Sequence, residues 1–224
     1  MLAGLFLMFL SGTAWAVIAN SKHDMSSGNT GDWGAGGGSN TDETCVFCHT
    51  PHDAGSSAFA PLWNRSGGNG TVTAVYGNPT GTMDATAATV IGANSTDAVL
   101  CLSCHDGTIG NTLTNPPNSL GGMPLSITAT LGANANLGGD LSNDHPIAIS
   151  YGSAIANGDT ELVAVGALPA AINLYSIDSD GNGTADFTDG LWCSSCHDVH
   201  SGQNAPFLVV SNAGSALCIS CHIK

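Results

Sequence analysis

Every cysteine in the chain belongs to one of four copies of the pattern Cys-x-x-Cys-His. Two thiols three positions apart can form thioether bonds to the two vinyl groups of one porphyrin, and the next residue's imidazole then reaches the iron from one face. The pattern therefore predicts four covalently attached c-type haems. The attachment residues are Cys45, Cys48, Cys101, Cys104, Cys193, Cys196, Cys218 and Cys221, and the proximal iron ligands are His49, His105, His197 and His222.

Paired cysteines have two other common uses. Two Cys-x-x-Cys units can hold a structural zinc ion, and eight thiols can form four disulfides in an oxidising compartment. Neither use requires a histidine after every pair. Haem attachment accounts for all of the pattern and is the interpretation that we adopt.

The histidine count predicts the second axial ligand of each iron. The chain has eight histidines, so four remain beyond the proximal ligands: His23, His52, His145 and His200. Methionine is the competing ligand and would raise the reduction potential. The methionines considered are Met25, Met83 and Met123. Because the remaining histidines match the number of irons, we predict bis-histidine ligation throughout, with low-spin iron, low potentials and no open coordination position.

Two of these distal histidines follow a proximal histidine by three residues. A segment attached at one edge of a porphyrin cannot reach its opposite face within three residues, so His52 and His200 should each ligate a different haem. This brings pairs of porphyrins into contact and favours stacked haems. We expect His52 to serve the haem of the second motif and His200 that of the fourth, leaving His145 and His23 for the other two.

A separate polar segment has the spacing of a calcium-binding loop, with glycine at its sixth position. The twelfth position is Asp rather than the usual Glu, and flanking helices are not evident in the sequence. The alternative is a polar turn rich in Asp, Asn and Gly. The possible Ca²⁺ ligands are Asp178, Asp180, Asn182, Thr184, Asp186 and Asp189.

The first residues resemble an export signal. An apolar run over 2–10 precedes Ala14-Trp15-Ala16, a small-residue cleavage site, although no Lys or Arg comes before the run. We expect residues 1–16 to be a cleaved signal peptide and 17–224 to form one tetrahaem domain. The run is too short to span a bilayer, and no later segment is long enough. The mature protein is therefore expected to be exported, to the cell surface or, alternatively, the periplasm.

Composition restricts both the fold and the partners. The 17 acidic residues face only three basic ones, which excludes nucleic acid as a natural partner. Only 9% of residues are charged, which is compatible with self-association. With 30 glycines, the chain is expected to be mostly irregular, a small multihaem cytochrome c fold organised around four stacked haems. Short helices are expected from Ser95 or Thr96 and from about Asn212, and short strands over 161–165 and 207–210.

The motifs together resemble those of the OmcE-type tetrahaem cytochromes, within the exported multihaem proteins that carry CxxCHxxH. They are the segments around His23 and His145, Cys45-Val-Phe-Cys48-His49-Thr-Pro-His52 and Cys196-His197-Asp-Val-His200. The resemblance implies subunits that polymerise into extracellular filaments, with one distal ligand donated across the subunit boundary. His23 is then the first candidate for that donor, and His52 the second.

The function that these features favour is electron transfer by hopping between haems, in a filament that leads from the cell to an external acceptor. The implied partners are copies of the chain, other exported or outer-membrane cytochromes and extracellular acceptors. One alternative is a soluble periplasmic shuttle. Another is a multihaem reductase, which would need an iron without a distal histidine. Since the histidine supply leaves none, we do not expect an enzyme.

Overall fold

The structure is a computed structural model. It describes residues 18–29, 39–49, 60–63, 72, 74–76, 96–106, 113–114, 126–127, 131–178, 180 and 182–223. The expected signal peptide (1–16) and the distal histidine His52 lie outside the described residues.

The described residues form a few short elements joined by long irregular segments. Helix α1 (Ala98–His105) carries the second motif, and helix α2 (Tyr151–Ala156) follows directly on strand β3 (Ile149–Ser150). Two very short helices contain cysteines of the third and fourth motifs, α3 (Cys193–Cys196) and α4 (Ala216–Ile219). The remaining elements are the strands β1 (Leu113–Thr114), β2 (Ser126–Ile127), β4 (Tyr175–Ile177) and β5 (Phe187–Leu191), and the 3₁₀ turns Val165–Ala167 and Ala213–Ser215.

A three-stranded antiparallel sheet leads the chain into the third motif. Its order is β3-β5-β4, with the central strand β5 ending two residues before Cys193, and β1 and β2 form a separate antiparallel pair. Gly190 lies in β5 where Tyr175 of β4 approaches closely. A Cβ on Gly190 would stand 2.9 Å from the Tyr175 carbonyl oxygen and would collide with the Ile177 side chain. Glycine therefore permits the close pairing of these strands.

The main hydrophobic cluster connects the second motif to the third. It joins α1 to the sheet and to the residue that precedes the third motif. Tyr76 packs beside it, and the Tyr76 hydroxyl donates a 2.7 Å hydrogen bond to the carbonyl of Ile147. The buried members are Ala98, Leu102, Leu141, Ala148, Ile177 and Trp192.

The expected fold class is confirmed in its coarse form: the chain is mostly irregular, with few short helices and one small sheet. The expected helix starts are close to those observed. The expected strands over 161–165 and 207–210 are wrong in length, because only Leu162 and Leu208 form isolated bridges there. Leu162 pairs with His222, and Leu208 pairs with His197. These segments therefore form backbone contacts with haem motifs and do not extend a sheet. Within the described ranges, no helix has the length and apolar character needed to cross a bilayer.

Candidate haem sites

Each Cys-x-x-Cys-His motif forms one helical turn. The histidine backbone N–H donates to the carbonyl of the first cysteine at 2.8 Å for His49, 3.0 Å for His197 and 2.9 Å for His222. The second motif lies within α1 and has the same conformation. Residues three apart on a helical turn share a face, so both thiols point to one side and can bind one porphyrin.

Three proximal histidines are oriented by main-chain carbonyls. In each, Nδ1 lies at hydrogen-bond distance from a carbonyl oxygen of a downstream segment, which fixes Nδ1 as the protonated nitrogen and leaves the Nε2 lone pair for a metal. This is the arrangement that an axial haem ligand requires. The pairs are His49 with Pro61 at 2.7 Å, His105 with Ala135 at 2.6 Å and His197 with Pro206 at 3.1 Å.

Backbone contacts hold segments from elsewhere in the chain against the second, third and fourth motifs. The Leu137 N–H donates to the His105 carbonyl at 2.8 Å, the Val209 N–H to the Cys196 carbonyl at 2.9 Å, and the Val163 N–H to the Cys221 carbonyl at 2.8 Å. These contacts explain how a chain with little regular structure positions its motifs. A short segment forms backbone hydrogen bonds with each of these motifs separately.

Three proximal histidines each have a second histidine ring as a neighbour, at nearly the same centroid separation. An iron about 2 Å from one nitrogen of each ring would set the two ring centroids about 6 Å apart. Three pairs of histidine rings have centroid separations that match this spacing. The pairs are His49 with His200 at 6.2 Å, His105 with His23 at 6.0 Å and His222 with His145 at 6.3 Å.

These ring neighbours differ from those that the expected ligand assignment implies. His200 lies beside His49 of the first motif, not beside His222 of the fourth, where His145 lies instead. The second motif, expected to take His52, faces His23. His200 nevertheless faces another motif's histidine, as the three-residue spacing predicts. The sequence could not identify the partner because it depends on how distant segments pack.

His23 lies in a setting that keeps its ring neutral. Burial, and then electrostatic interactions with His105, His197 and His200, lower the pKa of His23 to about 4. Its ring also stacks on Phe207, with centroids 4.7 Å apart. A neutral imidazole is the form that binds a metal.

Asp24 shapes the N-terminal arm, residues 18–29, that presents His23. The Asp24 carboxylate accepts hydrogen bonds from the Asn20 N–H at 2.7 Å and from the Ser26 hydroxyl at 2.6 Å. Burial raises the pKa of Asp24, but these hydrogen bonds outweigh it and hold the pKa below its usual value. Hydrogen bonds to the buried Asp24 carboxylate thus connect the two sides of the arm next to His23.

The attachment cysteines of different motifs are neighbours. A hydrogen bond with Cys101, followed by burial, raises the pKa of the Cys193 thiol well above its usual value. Burial, and then the proximity of Cys221 and Cys218, raises the pKa of Cys196. The third motif therefore lies between the second and the fourth, so groups attached at these cysteines would be close to one another.

The fourth motif borders an open cavity of about 300 Å³, lined by Ser215, Cys218, Ile219 and His222. Ile219 is 58% exposed and Ile223, just after the motif, is 55% exposed. Apolar side chains beside an attachment cysteine suit the apolar face of a porphyrin.

The calcium-like loop assembles only in part. Carboxylate oxygens of Asp178, Asp180 and Asp186 lie within 4.8 Å of one another. The expected twelfth ligand, Asp189, is directed elsewhere: it accepts hydrogen bonds from the Ser150 hydroxyl at 2.8 Å and the Gly152 N–H at 2.7 Å. Asp189 therefore caps α2.

The backbone N–H of Asn182 donates to carboxylate oxygens of both Asp178 and Asp180, at 3.1 Å each, and that of Thr184 donates to the Asn182 side-chain oxygen at 2.8 Å. These contacts are those of the polar turn that was the alternative interpretation.

Comparison with known proteins gives one family match. The model of the doubled CXXCH motif matches residues 185–224, which contain the third and fourth motifs. A search of curated proteins finds no significant match. The CXXCH motifs indicate covalent binding of haem c, and the family match supports a multihaem c-type cytochrome.

Proposed function

We propose that the chain transfers electrons through four covalently attached haems, each ligated by two histidines, and that it does so as the subunit of an extracellular filament. The observation that carries the electron-transfer proposal is the set of three histidine pairs with centroids 6.0 to 6.3 Å apart. When bound, each haem supplies a one-electron iron couple. The protein's part is to fix the ligands, the spacing and the exposure to solvent.

The ring neighbours support three ligand pairs in this proposal, and the histidine count supports the fourth. His49 with His200, His105 with His23, and His222 with His145 leave His197 for the remaining distal histidine, His52. In this assignment the first and third motifs exchange ligands. His200, which follows the third motif, would ligate the haem of the first motif, and His52, which follows the first motif, would ligate the haem of the third. Such an exchange would hold two haems against each other and tie together segments that are about 150 residues apart.

Ligation by two histidines at every iron leaves no position for a substrate, so we propose electron transfer rather than an enzymatic reaction. The partners would be further copies of the chain, other exported or outer-membrane cytochromes and extracellular acceptors. The low charge of the chain and the resemblance to filament-forming cytochromes favour the filament over a periplasmic shuttle.

His23 faces His105 of its own chain, so we do not assign it as the ligand that crosses a subunit boundary. His52 is then the candidate for that role, in which it would ligate the haem at His197 of a neighbouring copy instead of the haem at His197 of its own chain. A Ca²⁺ ion held by the loop at Asp178, Asp180 and Asp186 stays a proposal, and it would use other ligands than Asp189.

The filament is tested by negative-stain electron microscopy of haem-containing material sheared from the cell surface, with the chain identified by mass spectrometry. We expect filaments that contain this chain and that disappear from cells lacking its gene. Discrete particles confined to the periplasm would contradict the filament and favour the shuttle. The intact mass of the purified chain tests the four haems independently of assembly.

A further inference from the structure

One buried carboxylate connects two haem motifs that are far apart in the sequence. Asp97 immediately precedes α1, yet its side chain makes no cap on that helix; the Thr96 hydroxyl oxygen accepts the Ala98 N–H instead, at 3.2 Å. The Asp97 carboxylate accepts the N–H groups of Cys193 at 3.1 Å and Ser194 at 2.8 Å. The residue that starts the second motif's helix therefore holds the start of the third motif.

The contact lies where the two motifs meet. Asp97 is 8% exposed, and the Cys101 N–H, one turn further along α1, donates to its carbonyl at 3.3 Å. The Cys101 side chain lies close enough to the Cys193 thiol to raise the pKa of that thiol. One attachment cysteine of each motif thus lies beside this carboxylate.

We propose that Asp97 is a positioning residue shared by the second and third haem sites, which fixes their spacing and lowers both reduction potentials with its negative charge. The proposal rests on the proposed function, since it requires haem at both motifs. Two backbone N–H groups directed at separate oxygens fit a carboxylate rather than a carboxylic acid. A buried negative charge stabilises ferric over ferrous iron, and screening by water is weak at such a site.

Burial raises the pKa of Asp97, whereas hydrogen bonds from Ser194 and Cys193 oppose that shift. The carboxylate is therefore held in place by groups that belong to the third motif. Loss of these hydrogen bonds would loosen the contact between the motifs.

The test is a redox titration of the purified holoprotein and its Asp97→Asn and Asp97→Glu variants, after intact mass has shown equal haem content. Asp97→Asn removes the charge at nearly the same shape, and its amide nitrogen no longer accepts one of the two backbone N–H groups. We expect two of the midpoint potentials to rise together while the others stay, and Asp97→Glu to remain nearer the wild type. Unchanged potentials, or a rise at one haem only, would overturn the proposal. Incomplete haem loading of the wild type would instead count against the proposed function.

Ser194→Ala provides a second, milder variant. It removes a side-chain hydrogen bond to Asp97 but keeps the charge, so the same two potentials should fall. Asp189→Asn is the matched control, because Asp189 also accepts two hydrogen bonds at a helix start but contacts Ser150 and Gly152 rather than a haem motif. A joint rise of the same size in this control would show that loosened structure, not the Asp97 charge, sets the potentials.

Discussion

At the scale of single residues, the proposed iron ligands are oriented mainly by the backbone. Nδ1 of His49, His105 and His197 faces a carbonyl oxygen of a downstream segment, as does Nδ1 of the distal His145, at 2.9 Å from the Pro146 carbonyl. A backbone carbonyl is a neutral partner, so it sets the tautomer without adding a charge next to the iron. This arrangement is suited to a chain with few charged side chains.

The His49–His200 pair predicts the effect of His200→Ala. The haem of the first motif should lose its distal ligand and become high-spin in the ferric state, because the small alanine side chain cannot bind iron. Electron paramagnetic resonance (EPR) of the oxidised protein measures the new high-spin signal. His145→Ala is the comparison variant and should give a signal from the haem of the fourth motif.

The affected haem is identified by removing attachment sites. Adding Cys45→Ala and Cys48→Ala to His200→Ala should remove the high-spin signal, because the haem that produces it is no longer attached. The same addition to His145→Ala should leave its signal in place. Persistence of the signal in the first case would show that His200 serves another haem.

The carboxylate of Asp24 makes the stability of the arm dependent on pH. Its pKa is lowered in the folded state, so its stabilising contribution is present above the unfolded value of about 3.9 and is lost as pH falls through the lower, folded value. Urea unfolding of the wild type and Asp24→Asn should show the wild type more stable at pH 7. The difference should shrink in acid. A difference that is the same at pH 7 and in strong acid would contradict this role of Asp24.

At the scale of elements, the three-stranded sheet matters because its central strand, β5, leads directly to the third motif. Gly190→Ala should destabilise the protein by about 1 to 3 kcal/mol, the usual cost of overpacking, because the new methyl group meets Ile177 and the Tyr175 carbonyl. Gly132→Ala is the control, since a Cβ there has no atom within 4 Å. Thermal unfolding of the two holoprotein variants measures their melting temperatures. Equal melting temperatures for Gly190→Ala and Gly132→Ala would contradict the close packing at Gly190.

Local features were predictable from the sequence, and long-range ones were not. The motifs form helical turns, and α1 starts at Ala98, close to the expected Ser95 or Thr96, because spacing and capping are local properties. The partner of His200 and the direction of the Asp189 side chain depend on contacts between distant segments. The roles of Asp97 and Tyr151 were missed for the same reason.

Tyr151 illustrates such a missed contact. Its hydroxyl donates to the carbonyls of Val163 at 2.8 Å and Cys221 at 3.1 Å, which joins α2 to the fourth motif. Nothing in the sequence around Tyr151 indicates a partner 70 residues away. The only available signal was its position just after a short apolar strand.

At the scale of the whole molecule, the polypeptide core described by the structure is small. Its main cluster has only six buried residues and lies between the second and third motifs. Attached haems would add a large apolar surface to a core of this size. We therefore expect folding to depend on haem attachment.

The most direct test of the central claim is EPR of the fully oxidised, purified protein, combined with its intact mass. The account predicts the mass of the chain with four haems and a ferric spectrum in which every haem is low-spin, because each iron has two histidine ligands. Fewer than four haems, or a high-spin signal from a fully loaded wild-type protein, would contradict it.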